Sequence, residues 1–79
     1  MLKQAVVSSN IAEAGFSRGA LFLKFHSGVA YRYDKVPYEV FDKLTTAESV
    51  GNFFSRHVKG KYRYERLEKD PFRRSTDKR

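Results

Sequence analysis

The sequence predicts an α+β fold: a small antiparallel sheet, built from a β-hairpin plus one or two short strands, packed against two helices. Three observations lead there. Two runs place apolar side chains on one parity, Leu21/Leu23/Phe25 and Val29/Tyr31/Tyr33, and the short connection His26-Ser27-Gly28 lies between them, the pattern of an antiparallel hairpin. Pro37 then ends the alternation, because its ring fixes φ and removes an N–H that a strand would use, while suiting the start of a helix. Beyond it the spacing becomes helical: Val40, Phe41, Leu44 and Ala47 form one stripe, and Val50, Phe53, Phe54 and Val58 a second.

Each element follows from its local chemistry. Residues 5–11 are β-branched and then polar (Ala5-Val6-Val7-Ser8-Ser9-Asn10-Ile11), which predicts a first strand running into a turn. Gly15, Ser17, Arg18 and Gly19 predict a loop. The hairpin follows, with Arg32 on the face opposite the tyrosines and Lys24 across from it. In the first helix Glu39 complements the positive end of the helix dipole, and Thr45-Thr46 predicts a frayed end. Ser49 is suited to cap the second helix, Arg56 and Lys59 favour its C-terminal end, and Gly60 stops it. Lys61–Leu67 returns to period two, predicting an edge strand or an extended segment over the helices. The domain is thus expected over residues 5–68. Residues 69–79 are charged and poor in apolar side chains, so they read as a flexible basic tail. The expected core is Leu23, Phe25, Tyr31, Tyr33, Phe41, Leu44, Phe53 and Phe54.

Seventy-nine residues make one small domain whose core is only marginally sufficient, and seven Phe and five Tyr supply much of its burial. Cysteine is absent, so disulfides and thiolate metal sites are excluded, and a reducing, cytoplasmic setting is expected. Polar residues interrupt the N-terminus well short of a signal peptide or membrane span, so no membrane association is expected. The net charge of +7 favours polyanionic partners. That charge is uneven: residues 59–79 hold nine basic and four acidic side chains, a net of +5, and the first 58 residues hold the remaining +2.

Several separated motifs carry a family resemblance. Ser8-Ser9-Asn10-Ile11, Gly15-Phe16, Phe25-His26-Ser27-Gly28, Tyr31-x-Tyr33, Val36-Pro37, Ala47-x-Ser49-x-Gly51, Phe53-Phe54 and Lys59-Gly60-Lys61-Tyr62-x-Tyr64 occur in this order. Over residues 6–67 the chain closely resembles the KTSC domain, named from the C-terminal region of some lysyl-tRNA synthetases and found also as small stand-alone proteins of bacteria and phages. Phe16 stands where a Tyr is usual, keeping the ring and losing the hydroxyl. The resemblance implies an α+β fold and RNA binding, and it carries over no catalytic residue.

The candidate sites are weighed against ordinary structural roles. No catalytic residue and no metal ligand set is expected: His26 falls in a hairpin turn, His57 on a helix, and no G-x-S-x-G elbow is present. No cofactor is implied. Tyr31 and Tyr33 suit either a stacking platform for bases or the core, and the core is favoured because Val29 shares their parity. Ser8, Ser9 and Asn10 suit a ligand contact or, more often, the satisfaction of backbone groups at a strand end. The nucleic-acid-binding candidates are Arg32, Arg56, Lys59, Lys61, Tyr62, Arg63 and Tyr64, where cations alternate with aromatic rings near the end of the second helix. The favoured function is a small non-enzymatic module binding nucleic acid, RNA before DNA. The alternative is a phage or bacterial adaptor or inhibitor that docks on a host protein.

Overall fold

The computed structural model describes residues 1–68, 71 and 72. Five strands and two helices follow one another as β1 (Leu2–Ala5), β2 (Ile11–Ser17), β3 (Ala20–Phe25), β4 (Ala30–Tyr33), α1 (Tyr38–Thr46), α2 (Val50–His57) and β5 (Tyr64–Leu67). The strands lie side by side in chain order, every pair antiparallel, and the helices are inserted between β4 and β5. The α+β class is therefore as the sequence predicts, with more strands than expected.

The β3–β4 hairpin forms as anticipated, with Leu21 opposite Tyr33 and Leu23 opposite Tyr31, but Lys24, expected across from Arg32, lies opposite Ala30, and Arg32 lies opposite Phe22. The N-terminal part differs from its expectation. Residues 5–11 straddle the connection between β1 and β2 instead of forming one strand, and Gly15 lies within β2, not in a loop. A bulge between Ile11 and Glu13 explains why period two failed there: Ile11 pairs with Phe25 but Glu13 with Lys24, so the parity of β2 shifts partway along. The β2–β3 turn is Arg18-Gly19, both at positive φ (51° and 77°), the two-residue geometry that matches strand twist.

Pro37 caps α1 from outside, at φ −64° and ψ 147°, and does not occupy its first helical position. At the other end the hydroxyls of Thr45 and Thr46 both donate to the Asp42 carbonyl, a back-bonding that weakens further helix growth. Ser49 caps α2 as anticipated, its hydroxyl accepting from the Asn52 N–H at 3.3 Å.

Both helices cover the sheet face carrying Ala14, Leu21, Leu23 and Tyr33, and Ile11, Val36, Phe41, Leu44, Val50 and Val58 complete that core. Of the expected core, Leu23, Tyr33, Phe41 and Leu44 are buried, whereas Phe25, Tyr31, Phe53 and Phe54 are only half-buried at its margin. The opposite sheet face carries Gly15, Phe22, Ala30 and Arg32. Phe72, which the sequence places in the flexible tail, is buried there at 8% exposure. Its ring lies against Gly15, where β2 has no side chain in the way. The other residues assigned to the tail, 69–70 and 73–79, lie outside the described residues.

Candidate nucleic-acid interface

The half-buried rings at the core margin form the walls of a groove. Phe25 of β3, Tyr31 and Tyr33 of β4, Tyr64 of β5 and Phe54 of α2 line a depression of about 580 Å³, with Lys59 at its rim, within the size range of small-ligand sites. The rings support one another. Phe54 meets Phe25 and Tyr33 edge-on at 5.9 Å in each case, while Tyr64 sits 5.7 Å from both Tyr31 and Tyr33. Strand parity puts Tyr31 and Tyr33 on the helix side, and the pairing of Tyr33 with Tyr64 brings the third tyrosine beside them.

The end of α2 fixes Lys59 relative to Phe54. The Phe54 carbonyl accepts from both Val58 N–H (3.0 Å) and Lys59 N–H (2.8 Å). Gly60, at φ +77°, then turns the chain back toward β5 in a conformation that side chains disfavour. Asp34 N–H donates to the Arg63 carbonyl at 2.8 Å, seating the start of β5.

Tyr33 is both core and groove. It is 5% exposed, and burial pushes its phenol up from 10.0 to about 12, with Tyr31 and Tyr64 adding to the shift. Its neutral form is thus held firmly, and the groove floor carries no charge at neutral pH. Tyr64 is 60% exposed and presents its ring to solvent.

The structure brings some of the predicted residues together and separates others. Lys59 and Tyr64 line the groove. Lys61, Tyr62 and Arg63 occupy the segment between them, with the cations exposed and Tyr62 packed against the core. Arg56 is exposed in the last turn of α2. Among the described residues, none of Arg56, Lys59, Lys61 and Arg63 forms an ion pair. Arg32 lies elsewhere, on the opposite sheet face. Its guanidinium binds Asp34 at 3.0 Å and Glu65 at 2.6 Å. The hydrogen bond and charge of Asp34, then Glu65, raise its pKa further.

A second, more polar depression of about 390 Å³ adjoins the groove, with Ser9, Asn10, His26 and Ser55 in its lining. Ser8 has the structural role: its hydroxyl accepts from the N–H groups of Asn10 and Ile11. His26 Nε2 donates to the Ser8 carbonyl at 2.9 Å, and His57 stacks on Phe53 at 4.6 Å between centroids. Among the described residues no cluster of three or more His or carboxylate side chains could hold a metal ion, and no helix is long and apolar enough to cross a membrane. Phe25, Phe54 and the polar rim were not anticipated as site residues. Their parity and spacing mark them as apolar, but only the packing reveals that one edge of each ring stays open.

Comparison with known proteins identifies the fold family. The sequence model of the KTSC domain matches residues 7–62. This chain belongs to the KTSC family. A KTSC domain protein from Yersinia pestis shares its structure, with a TM-score of 0.75 and 31% identity over 82% of this chain and 94% of that one. A protein of Tsukamurella paurometabola is 45% identical over 62 residues, covering 76% of this chain and 92% of its own length. A lysine–tRNA ligase of Trichormus variabilis is 45% identical over 47 residues, which are 60% of this chain but only 8% of the ligase. The matched KTSC region includes the groove-lining residues from Phe25 to Gly60 and ends before Tyr64.

Proposed function

We propose that this KTSC domain is a non-enzymatic module that binds single-stranded nucleic acid, RNA before DNA. A base sits in the aromatic groove, while Lys59, Lys61 and Arg63 neutralise the neighbouring phosphates. The observation that carries this reading is the opening of the Tyr31–Tyr33–Tyr64–Phe54 groove directly beside Lys59, in a region whose cations pair with no carboxylate among the described residues. Stacking supplies affinity without charge, and free cations supply the salt-dependent part. The net charge of +7 is consistent with such a partner. The similarity to lysine–tRNA ligases, whose name records an RNA substrate, favours RNA. Arg32 is left out, because both its carboxylate partners and its sheet face take it away from the groove.

The test is titration of labelled single-stranded RNA, duplex RNA and duplex DNA at two salt concentrations, with the Tyr64→Ala and Lys59→Ala variants alongside. Tyr64→Ala should lose on the order of 1–3 kcal/mol of binding with an unchanged salt slope. Lys59→Ala should flatten the slope by about 0.7 on a single strand. Failure of every nucleic acid to bind below about 100 μM near physiological salt would refute the reading. Salt-tolerant capture of one defined protein would then favour the adaptor alternative.

A further inference from the structure

The aromatic groove and the polar depression are two halves of one surface. Both are lined by Phe25, Ser27, Phe54 and Lys59. The edge-to-face Phe25–Phe54 pair, with centroids 5.9 Å apart and planes at 77°, is therefore a ridge with an apolar trough on one side and a polar one on the other. The polar side has hydrogen-bonding capacity to offer a ligand. Among the described residues, the side chains of Ser9, Asn10, Ser27 and Ser55 make no hydrogen bond. His26 adds an acceptor. Its Nε2 donates to the Ser8 carbonyl, so in the neutral ring Nδ1 carries the lone pair. The cation shared by both troughs is Lys59.

We infer that the polar depression receives the ribose next to the stacked base, reading its 2′-hydroxyl, and that this is what makes the ligand RNA. This rests on the proposed base-binding groove. A nucleotide needs three environments side by side: an aromatic surface for the base, neutral donors and acceptors for the sugar, and a cation for the phosphate. Here they meet at Phe25, Phe54 and Lys59. A hydroxyl that donates and accepts at once is matched by mixed groups such as serine hydroxyls and an asparagine amide. Carboxylates or further cations would instead suit an amine or a second phosphate.

The experiment compares one short single-stranded oligonucleotide sequence in RNA, DNA and 2′-O-methyl form, titrated against the wild-type chain and the Asn10→Ala/Ser55→Ala double variant. Both side chains are exposed and unpaired among the described residues, so the variant should keep the wild-type melting temperature. Wild type should bind RNA about five- to tenfold more tightly than DNA or the methylated strand, the range expected of one neutral hydrogen bond. The double variant should bind all three equally, through loss of RNA affinity alone. Equal wild-type affinity for RNA and DNA would overturn the ribose assignment while leaving the base groove in place. So would a double variant that retains the preference. Absence of binding to all three would instead refute the groove reading on which the assignment rests. If the double variant melts early, Ser9→Ala provides the same comparison from a residue that lines the polar depression and not the aromatic groove.

Discussion

The ring of Phe72 lies against Gly15, so closely that a methyl group on that glycine would sit 3.0 Å from Cε2 of the ring and 3.2 Å from the Leu2 carbonyl oxygen. The Met1 sulfur, 2.5 Å from the same point, is the end of a flexible side chain and can move, but the Leu2 oxygen belongs to the paired backbone of β1. Gly15→Ala should therefore destabilise the domain by about 1–2 kcal/mol, the usual cost of overfilling a packed site. Urea denaturation measures it directly.

Phe72 itself should matter more than its place in a charged stretch suggests. Phe72→Ala is expected to cost about 3 kcal/mol, the lower end for a buried Phe, because its site lies on the sheet surface and can partly collapse. Truncation after Pro71 should lower the melting temperature as much as the point substitution does. Equal stability of wild type and both variants would mean that the ring contributes nothing by docking.

The half-buried and fully buried apolar residues should separate cleanly. Leu44 is 0% exposed within the core cluster, and Leu44→Ala should cost about 3–4 kcal/mol. Phe54 keeps one edge open to the groove, so Phe54→Ala should fall below the 3–5 kcal/mol or so of a fully enclosed Phe while removing a groove wall. Equilibrium unfolding of the two variants side by side gives the comparison.

Tyr33 predicts an alkaline limit. The unfolded chain releases this phenolic proton near 10.0, but the folded state retains it to about 12. The unfolded state thus binds fewer protons between those values, and stability falls as pH rises through that window. Below it the contribution is fully present, and above it the loss levels off at about 2–3 kcal/mol. Denaturation midpoints measured across the window, with Tyr33→Phe lacking this part of the decline, check the assignment.

The α2 cap gives a smaller effect. Ser49→Ala removes the hydroxyl that accepts from Asn52 N–H and should cost about 1 kcal/mol. Since α2 carries Phe54, hydrogen exchange in its first turn should rise before the groove is lost.

The hairpin and both helices were legible because each carries its own local signal: uninterrupted parity in Leu21–Phe25, the helical stripe of Val40–Phe41–Leu44, and a serine cap at Ser49. The β1–β2 pair was not, for a physical reason. The bulge puts Ile11 and Ala14 on the same face three residues apart, a spacing that mimics neither a strand nor a full helix turn. Gly15 reads as a loop residue in isolation, and the ring of Phe72 and the Leu2 carbonyl oxygen close by explain a glycine in mid-strand. The cationic cluster after Arg56 is a property of composition and was visible. The groove is not, since Phe25, Tyr31, Phe54 and Tyr64 come from four elements and share a wall only after folding.

Tyr64 belongs to β5, an edge strand that among the described residues pairs with β4 alone and whose residues are mostly exposed, so this strand is a natural site of local opening. Opening withdraws Tyr64 from the groove and leaves a site without its third tyrosine. A molecule held between Tyr64 and Phe54 binds only the closed form, and mass action then transfers its binding free energy to the edge of the sheet. Occupancy of the groove and protection of the backbone amides of residues 64–67 are two readings of a single equilibrium, with the ligand acting as a latch on the last strand.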